Sequence, residues 1–283
     1  MIKTILVPTD FSIEAQELFH CVEQLKMAGL KKIVVLHVVD FMAAGGLTPT
    51  FVDNGKEELE KYKKYIQEKG IIAETIIKEG NISQTIVNVA KQKNVDCIVM
   101  GSTTGGIIKS WLLGSTTEYV VRKSQTMVLV EKYNYVQKSG CVTCKKMCSM
   151  VFDKIFVPID FSEESMRAVE KLKLLKGSGK HLLLTHVIEK AKDNNELKKL
   201  KEDALTKLKK IGSKLKDFKL SYYVTKGIPS NEIKKLAIEE DITLIALTNK
   251  GAGKIKDILL GSTTENLLRT STKPIIVIPV KIR

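Results

Sequence analysis

Leu112-Leu113-Gly114-Ser115-Thr116-Thr117-Glu118 recurs letter for letter as Leu259-Leu260-Gly261-Ser262-Thr263-Thr264-Glu265. The stretch reads as a helix start. Ser115 and Ser262 are good N-cap residues, and Glu118 and Glu265, three positions on, complete a capping box. The glycine before each cap has no Cβ, so the backbone there can approach a ligand closely. The start of a helix carries unsatisfied N–H groups and the positive end of the helix dipole, which together favour anions, phosphate above all. One copy reads equally well as a merely well-capped helix. Two copies with matching flanks point to a phosphate site in each.

The matching flanks extend through the chain. Thr9-Asp10-Phe11-Ser12 answers to Ile159-Asp160-Phe161-Ser162, His37-Val38 to His186-Val187, and Gly80-Asn81-Ile82-Ser83 to Gly227-Ile228-Pro229-Ser230. The offset is 150 at Asp10/Asp160 and 147 at Gly114/Gly261, so the halves differ little in length. One unit has been duplicated. Residues 1–132 form the first domain, 133–150 a linker and 151–283 the second domain.

In the first half, short apolar runs at 2–8, 32–39, 71–78, 95–100 and 127–130 read as buried strands. Helical patterns at 12–29, 56–68, 83–93 and 115–123 lie between them, with Ser83 as the cap of the third. Residues 41–54, with Gly45, Gly46 and Pro49, read as a loop. The second half follows the same plan. Strands alternating with helices imply an α/β fold: two tandem open parallel sheets, each covered on both faces. In such sheets ligands bind outside the carboxyl ends of the strands, at the switch in strand order. Pro8-Thr9-Asp10, His37-Val38 and Gly101 onward all fall there.

The length of 283 residues suits two domains, and the net charge of +14 raises the prospect of an acidic partner. The lysines, however, are interspersed with acids, as in Glu196-Leu197-Lys198-Lys199-Leu200-Lys201-Glu202. They read as solvated helix faces. No aromatics interleave with the basic runs, which argues against nucleic acid. No apolar run reaches membrane-spanning length, and the first is too short for a signal peptide. Five cysteines, an odd number, do not suit a secreted disulfide framework. A cytoplasmic protein is expected.

Two familiar nucleotide motifs fail. Gly101 to Gly106 has P-loop spacing but is followed by Ile107, and Gly253-Lys254 lacks the first glycine and is followed by Ile255. The dinucleotide fingerprint needs glycines after the first strand, where this chain has Thr-Asp-Phe-Ser. What remains resembles the universal stress protein family in tandem form, over nearly the whole chain. The resemblance rests on Pro8-Thr9-Asp10-Phe11-Ser12 and Pro158-Ile159-Asp160-Phe161-Ser162, on the His-Val pairs, and on the loop after the fourth strand. In nucleotide-binding members that loop reads Gly, two residues, Gly, nine residues, then Gly-Ser/Thr. The first half has Gly101, then Thr104 where the second glycine belongs, then Gly114-Ser115. The second half has Thr248 where the first belongs, then Gly251 and Gly261-Ser262.

The resemblance implies a Rossmann-like fold of the adenine-nucleotide-binding type. ATP or AMP, with or without Mg, would lie across the strand ends. Asp10 and Asp160 would sit near ribose and phosphates, beside Pro8, Thr9, Pro158 and Ile159. The backbone of Val38 and Val187 would read the adenine edge. Met100, Gly101, Thr103 and Thr104 in one half, and Leu247, Thr248, Lys250 and Gly251 in the other, would flank ribose and phosphate. Gly114, Ser115 and Thr116, with Gly261, Ser262 and Thr263, would hold phosphate. A threonine in place of glycine adds a Cβ, which favours the second half, where the glycine nearest the phosphates is kept and Lys250, Lys254 and Lys256 add charge. The resemblance also implies an internal pseudo-dimer through the last strands, Met127 to Val130 and Ile275 to Val280, with a homodimer left open.

His37 and His186 end apolar runs and read as hydrogen-bonded structural residues. No residue set makes a catalyst, and slow ATP hydrolysis rests on the resemblance alone. The linker stands apart from the family pattern. Cys141, Cys144 and Cys148 fall within eight residues, as a C-x-x-C turn that could chelate zinc or form a redox disulfide. A fourth zinc ligand would come from Cys97, a histidine, a second subunit or water. Three functions therefore stand open: a nucleotide-binding stress or signalling protein, a redox or metal sensor working through the linker, and an interaction module with empty pockets.

Overall fold

The computed structural model describes residues 2–19, 25–26, 29–40, 48–103, 113–138, 141–146, 152–175, 180–250 and 260–279. The first half runs β1 (Thr4–Thr9), α1 (Ile13–Phe19), β2 (Lys32–Val39), α2 (Thr48–Glu68), β3 (Ile72–Glu79), α3 (Ile82–Gln92), β4 (Cys97–Thr103), α4 (Ser115–Lys123) and β5 (Met127–Lys138). After β6 (Cys141–Lys146) the second half repeats the plan. It runs β7 (Lys154–Pro158), α5 (Glu163–Leu172), β8 (His181–Ile188), α6 (Asn194–Gly212), β9 (Lys219–Lys226), α7 (Pro229–Glu239), β10 (Leu244–Thr248), α8 (Ser262–Thr270) and β11 (Ile275–Ile278).

The strands pair in the order β3-β2-β1-β4-β5-β11-β10-β7-β8-β9, with β6 paired to β5. Within each half the pairing is parallel, and first and second strands run side by side in register, Thr4–Thr9 against Lys32–His37. The central strands are apolar on both faces, as a doubly covered parallel sheet requires. One core cluster holds Val7, Leu18, Leu59, Leu182 and Leu208; the other, on the opposite face, holds Leu6, Ile86, Val120, Leu183 and Leu267.

The halves join where the resemblance placed the junction. β5 pairs antiparallel with β11, Ile275 opposite Val130, Ile276 opposite Leu129 and Val277 opposite Val128. This pairing puts a pseudo-twofold axis beside Leu129 and Ile276, so the two sheets form one continuous surface. Among the described residues no helix is long and apolar enough to cross a membrane.

Three local readings are corrected. Residues 133–150 are not simply a linker: β5 continues to Lys138 and pairs antiparallel with β6, Tyr133 opposite Lys146 through Lys138 opposite Cys141. Residues 41–54 are not all loop, because α2 already begins at Thr48. Pro49 suits the first turn of a helix, where its missing N–H would be unsatisfied anyway. Gly55, which reads as a breaker, sits inside the helix because a Cβ there would meet His37 Cδ2 at 3.0 Å. Finally, Asn81 rather than Ser83 caps α3, its side chain accepting from the Gln84 N–H.

Candidate nucleotide cavity

Each letter of the repeated stretch has a place in the structure. Gly114 and Gly261 are the N-cap residues, with extended backbone at φ −55°, ψ 139° and φ −61°, ψ 140°. Their carbonyls accept the first helical bonds, from the Glu118 and Glu265 N–H groups, each at 2.9 Å. Ser115 and Ser262 are therefore the first helical residues and not the caps. Neither helix has a side-chain capping bond. The capping-box reading is corrected, and its correction leaves the first-turn N–H groups open to an outside acceptor. Thr117 and Thr264 are buried and tie their helices to the preceding strand, donating to the Gly101 carbonyl at 3.4 Å and the Thr248 carbonyl at 2.7 Å.

Glu118 and Glu265 turn toward the pseudo-axis. Arg122 Nη2 donates to Glu118 Oε1 at 2.7 Å, Arg269 Nη2 to Glu118 Oε2 at 3.1 Å and Arg269 Nη2 to Glu265 Oε1 at 3.2 Å. Arg122 Nη2 stands 3.7 Å from Glu265 Oε1. Four charges from two halves thus close a ring between α4 and α8.

The turn after the first strand is equally regular in both halves. Asp10 Oδ1 and Asp160 Oδ1 each accept from the N–H two residues on, Ser12 and Ser162, at 3.0 Å. Between them Phe11 and Phe161 both take φ 62°, left-handed backbone that a bulky residue adopts only under constraint. The constraint is visible. Phe11 packs on the His37 ring, centroids 4.4 Å apart, and Phe161 on His186 at 4.5 Å. His37 Nδ1 lies 2.9 Å from the Thr9 carbonyl and His186 Nδ1 2.8 Å from the Ile159 carbonyl. A carbonyl only accepts, so Nδ1 carries the proton. Both histidines clamp the turn, as their position in the sequence suggests.

These elements surround a cavity at the strand carboxyl ends of each half. The second-half cavity measures about 570 Å³. Pro158, Ile159, Asp160, Val187, Leu247, Thr248, Lys250, Gly261, Ser262 and Thr263 all line it, and Gly251 lies outside the described residues. The first-half cavity measures about 390 Å³ and is lined by Pro8, Thr9, Asp10, Val38, Met100, Gly101, Gly114 and Thr116. Ser115 is exposed beside it rather than in its lining. Thr103 ends β4, and Thr104 lies outside the described residues.

The cavities differ in charge. Lys190, Lys207 and Lys250 join Asp160, Glu189 and Asp203 around the second, whereas Asp10 is the charged group among the described residues lining the first. Lys207 Nζ stands 5.3 Å from the Phe161 ring centre, where the first half stacks Tyr62 on Phe11 at 6.0 Å. Composition alone hid Lys207, because it lies in a helix whose other lysines face solvent.

The second cavity also presents strand backbone. β7 pairs with β8 only as far as Pro158 opposite Thr185, and the Ile159 N–H reaches the Thr185 carbonyl at 2.7 Å. Two residues on, Val187 turns its N–H and C=O to the same side, past the last β7 pairing.

The cysteines assemble differently from the zinc reading. Residues 141–146 are extended strand, each paired in register with β5, so the C-x-x-C segment is not a turn; Cys148 lies outside the described residues. Cys97 is buried on β4, and burial pushes its thiol up to about 12. Among the described residues no group of three His, Cys, Asp or Glu side chains is placed to hold a metal ion.

Two sheets joined edge to edge, each with a helix start that lacks a side-chain cap and opens on a cavity at its strand ends, define a tandem α/β protein of the open-sheet class. Residues 1–132 and 152–279 match the universal stress protein family, and the chain belongs to that family. Universal stress protein MJ0577 of Methanocaldococcus jannaschii is 35% identical over 155 residues, covering 47% of this chain and 96% of that protein. Universal stress protein Sll1654 of Synechocystis is 34% identical over 137 residues, covering 46% and 85%. A universal stress protein from Archaeoglobus fulgidus superposes on 97% of this chain and 95% of its own, with a TM-score of 0.71 and 26% identity. The tandem arrangement therefore has a full-length structural counterpart.

Proposed function

We propose that the chain binds an adenine nucleotide, ATP or AMP, in the second-half cavity and acts as a nucleotide-responsive stress or signalling protein rather than as an enzyme. The observation that carries this reading is the start of α8: Gly261 caps it without a side-chain bond, and it opens on a cavity of about 570 Å³. The helix N-terminus offers N–H donors and a partial positive charge to phosphate. The lining also offers Val187 backbone and the apolar side chains of Pro229, Ile233 and Leu247 to a planar base. Lys190, Lys207 and Lys250 add cationic charge, and residues 151–283 carry +10 of the chain's net +14.

Ligand released by heating the purified protein, identified by mass spectrometry, tests this directly. ATP or AMP at up to one equivalent per chain is expected. Protein that neither retains nor takes up either nucleotide when saturated with it would overturn the reading.

A further inference from the structure

Thr185 puts a hydroxyl in the floor of the second cavity where the first has an apolar side chain. It lies on β8, is fully buried at 0% exposure and lines the cavity. Its hydroxyl has no hydrogen-bond partner among the described residues. At the matching position of β2 the first half has Leu36, which lines the first cavity and is equally buried. A hydroxyl in an apolar floor costs stability unless something bonds to it, so a leucine would serve packing better.

Its surroundings say which part of a ligand it meets. Thr185 is two residues beyond Leu183 and so shares its face of the sheet, with Ile233 and Leu247 of the same apolar cluster also lining the cavity. It is two residues before Val187, whose backbone faces the cavity beyond β7. The start of α8 follows β10, which lies two strands away from β8 in the sheet.

We propose that Thr185 is a specificity-determining residue of the second cavity, its hydroxyl bonding a polar atom on the edge of the bound nucleotide's base. This rests on the nucleotide reading above. The first cavity, with Leu36, lacks that bond and tolerates bases more evenly.

The test is titration calorimetry on the full chain carrying Gly114→Val, which fills the start of α4 and silences the first half. A Cβ at Gly114 meets nothing within 4 Å, and a melting temperature close to that of the wild type checks that this background folds. Thr185→Val keeps the shape and removes the hydroxyl. It should weaken ATP binding roughly five- to tenfold, the worth of one hydrogen bond, while raising the melting temperature of the nucleotide-free protein by a few degrees. Thr185→Ser, which keeps the hydroxyl, should retain most of the affinity. Inorganic tripolyphosphate, which has no base, should bind the Gly114→Val background and its Thr185→Val derivative alike. Equal ATP affinity in these two proteins, or a loss shared by tripolyphosphate, would overturn the proposal. Absence of ATP binding in the wild-type chain would instead overturn the nucleotide reading beneath it.

Discussion

At the residue scale, the two halves differ through what stands behind each position. Gly101 lies on β4 in front of Tyr133, and a Cβ there would meet Tyr133 Cε2 at 3.1 Å. The second half carries Thr248 at that place. Gly101, which reads as part of a phosphate loop, thus also has a packing reason in Tyr133 that only the fold reveals. Lys132 is a second such residue. It is fully buried beside the pseudo-axis, and its Nζ donates to the Leu268 carbonyl near the end of α8. Burial lowers its pKa from 10.5 to about 8. Between those values the unfolded chain holds a proton that the folded chain has released, so stability rises with pH across that window. Urea melts at pH 7.5 and 9.5 should show the wild type gaining on Lys132→Met by about 2 kcal/mol. Parallel pH dependence in the two proteins would contradict the assignment.

At the scale of elements, α2 and the pair α4/α8 give sharp expectations. An alanine normally stabilises a helix interior by about 1 kcal/mol over glycine. At Gly55 the sign should reverse, because the new Cβ presses on His37 Cδ2, and a fall in the urea midpoint of Gly55→Ala would confirm it. Arg269 and Glu118 are partly exposed members of the ring across the pseudo-axis, so a double-mutant cycle with Arg269→Met and Glu118→Gln should return a coupling of about 0.5–1 kcal/mol.

The strands, the duplication and the residues that line the strand-end cavities were legible because apolar runs and repeated motifs are properties of neighbouring residues. The histidine clamp was legible as well, from its place after an apolar run. The capping-box reading failed because glycine, usually a poor indicator of a helix start, holds the cap and releases Glu118 for a partner 151 residues away. Gly55 failed for the same kind of reason: its cause is His37, on another element. Thr185 passed unnoticed because a threonine in a buried strand is ordinary until its cavity and missing partner are seen.

On the scale of the whole molecule, one sheet spans both halves, and the charge gathers in the second. Each half also holds a carboxylate kept below the ordinary carboxylate range. In the first it is Glu74, held by hydrogen bonds from Lys32, at 2.6 Å, and Lys93. In the second it is Glu240, held by hydrogen bonds from Tyr223, at 2.5 Å, and Lys154. A lowered folded pKa contributes stability that is complete above the ordinary value of 4.5 and is lost as pH falls through the folded values. The melting temperature should therefore drop as pH is lowered from about 5 to 3, and less steeply in Glu74→Gln and Glu240→Gln proteins. Equal slopes in all three would remove these carboxylates from the acid transition.

The account as a whole depends on an anion being received at the start of α8. Calorimetric titration of ATP into the full chain and into Gly261→Val tests that most directly. The wild type should bind at the second-half cavity, and the valine, placed at the N-cap, should weaken that binding at least tenfold without lowering the melting temperature by more than a few degrees. Unchanged ATP affinity in a folded Gly261→Val protein would contradict the claim.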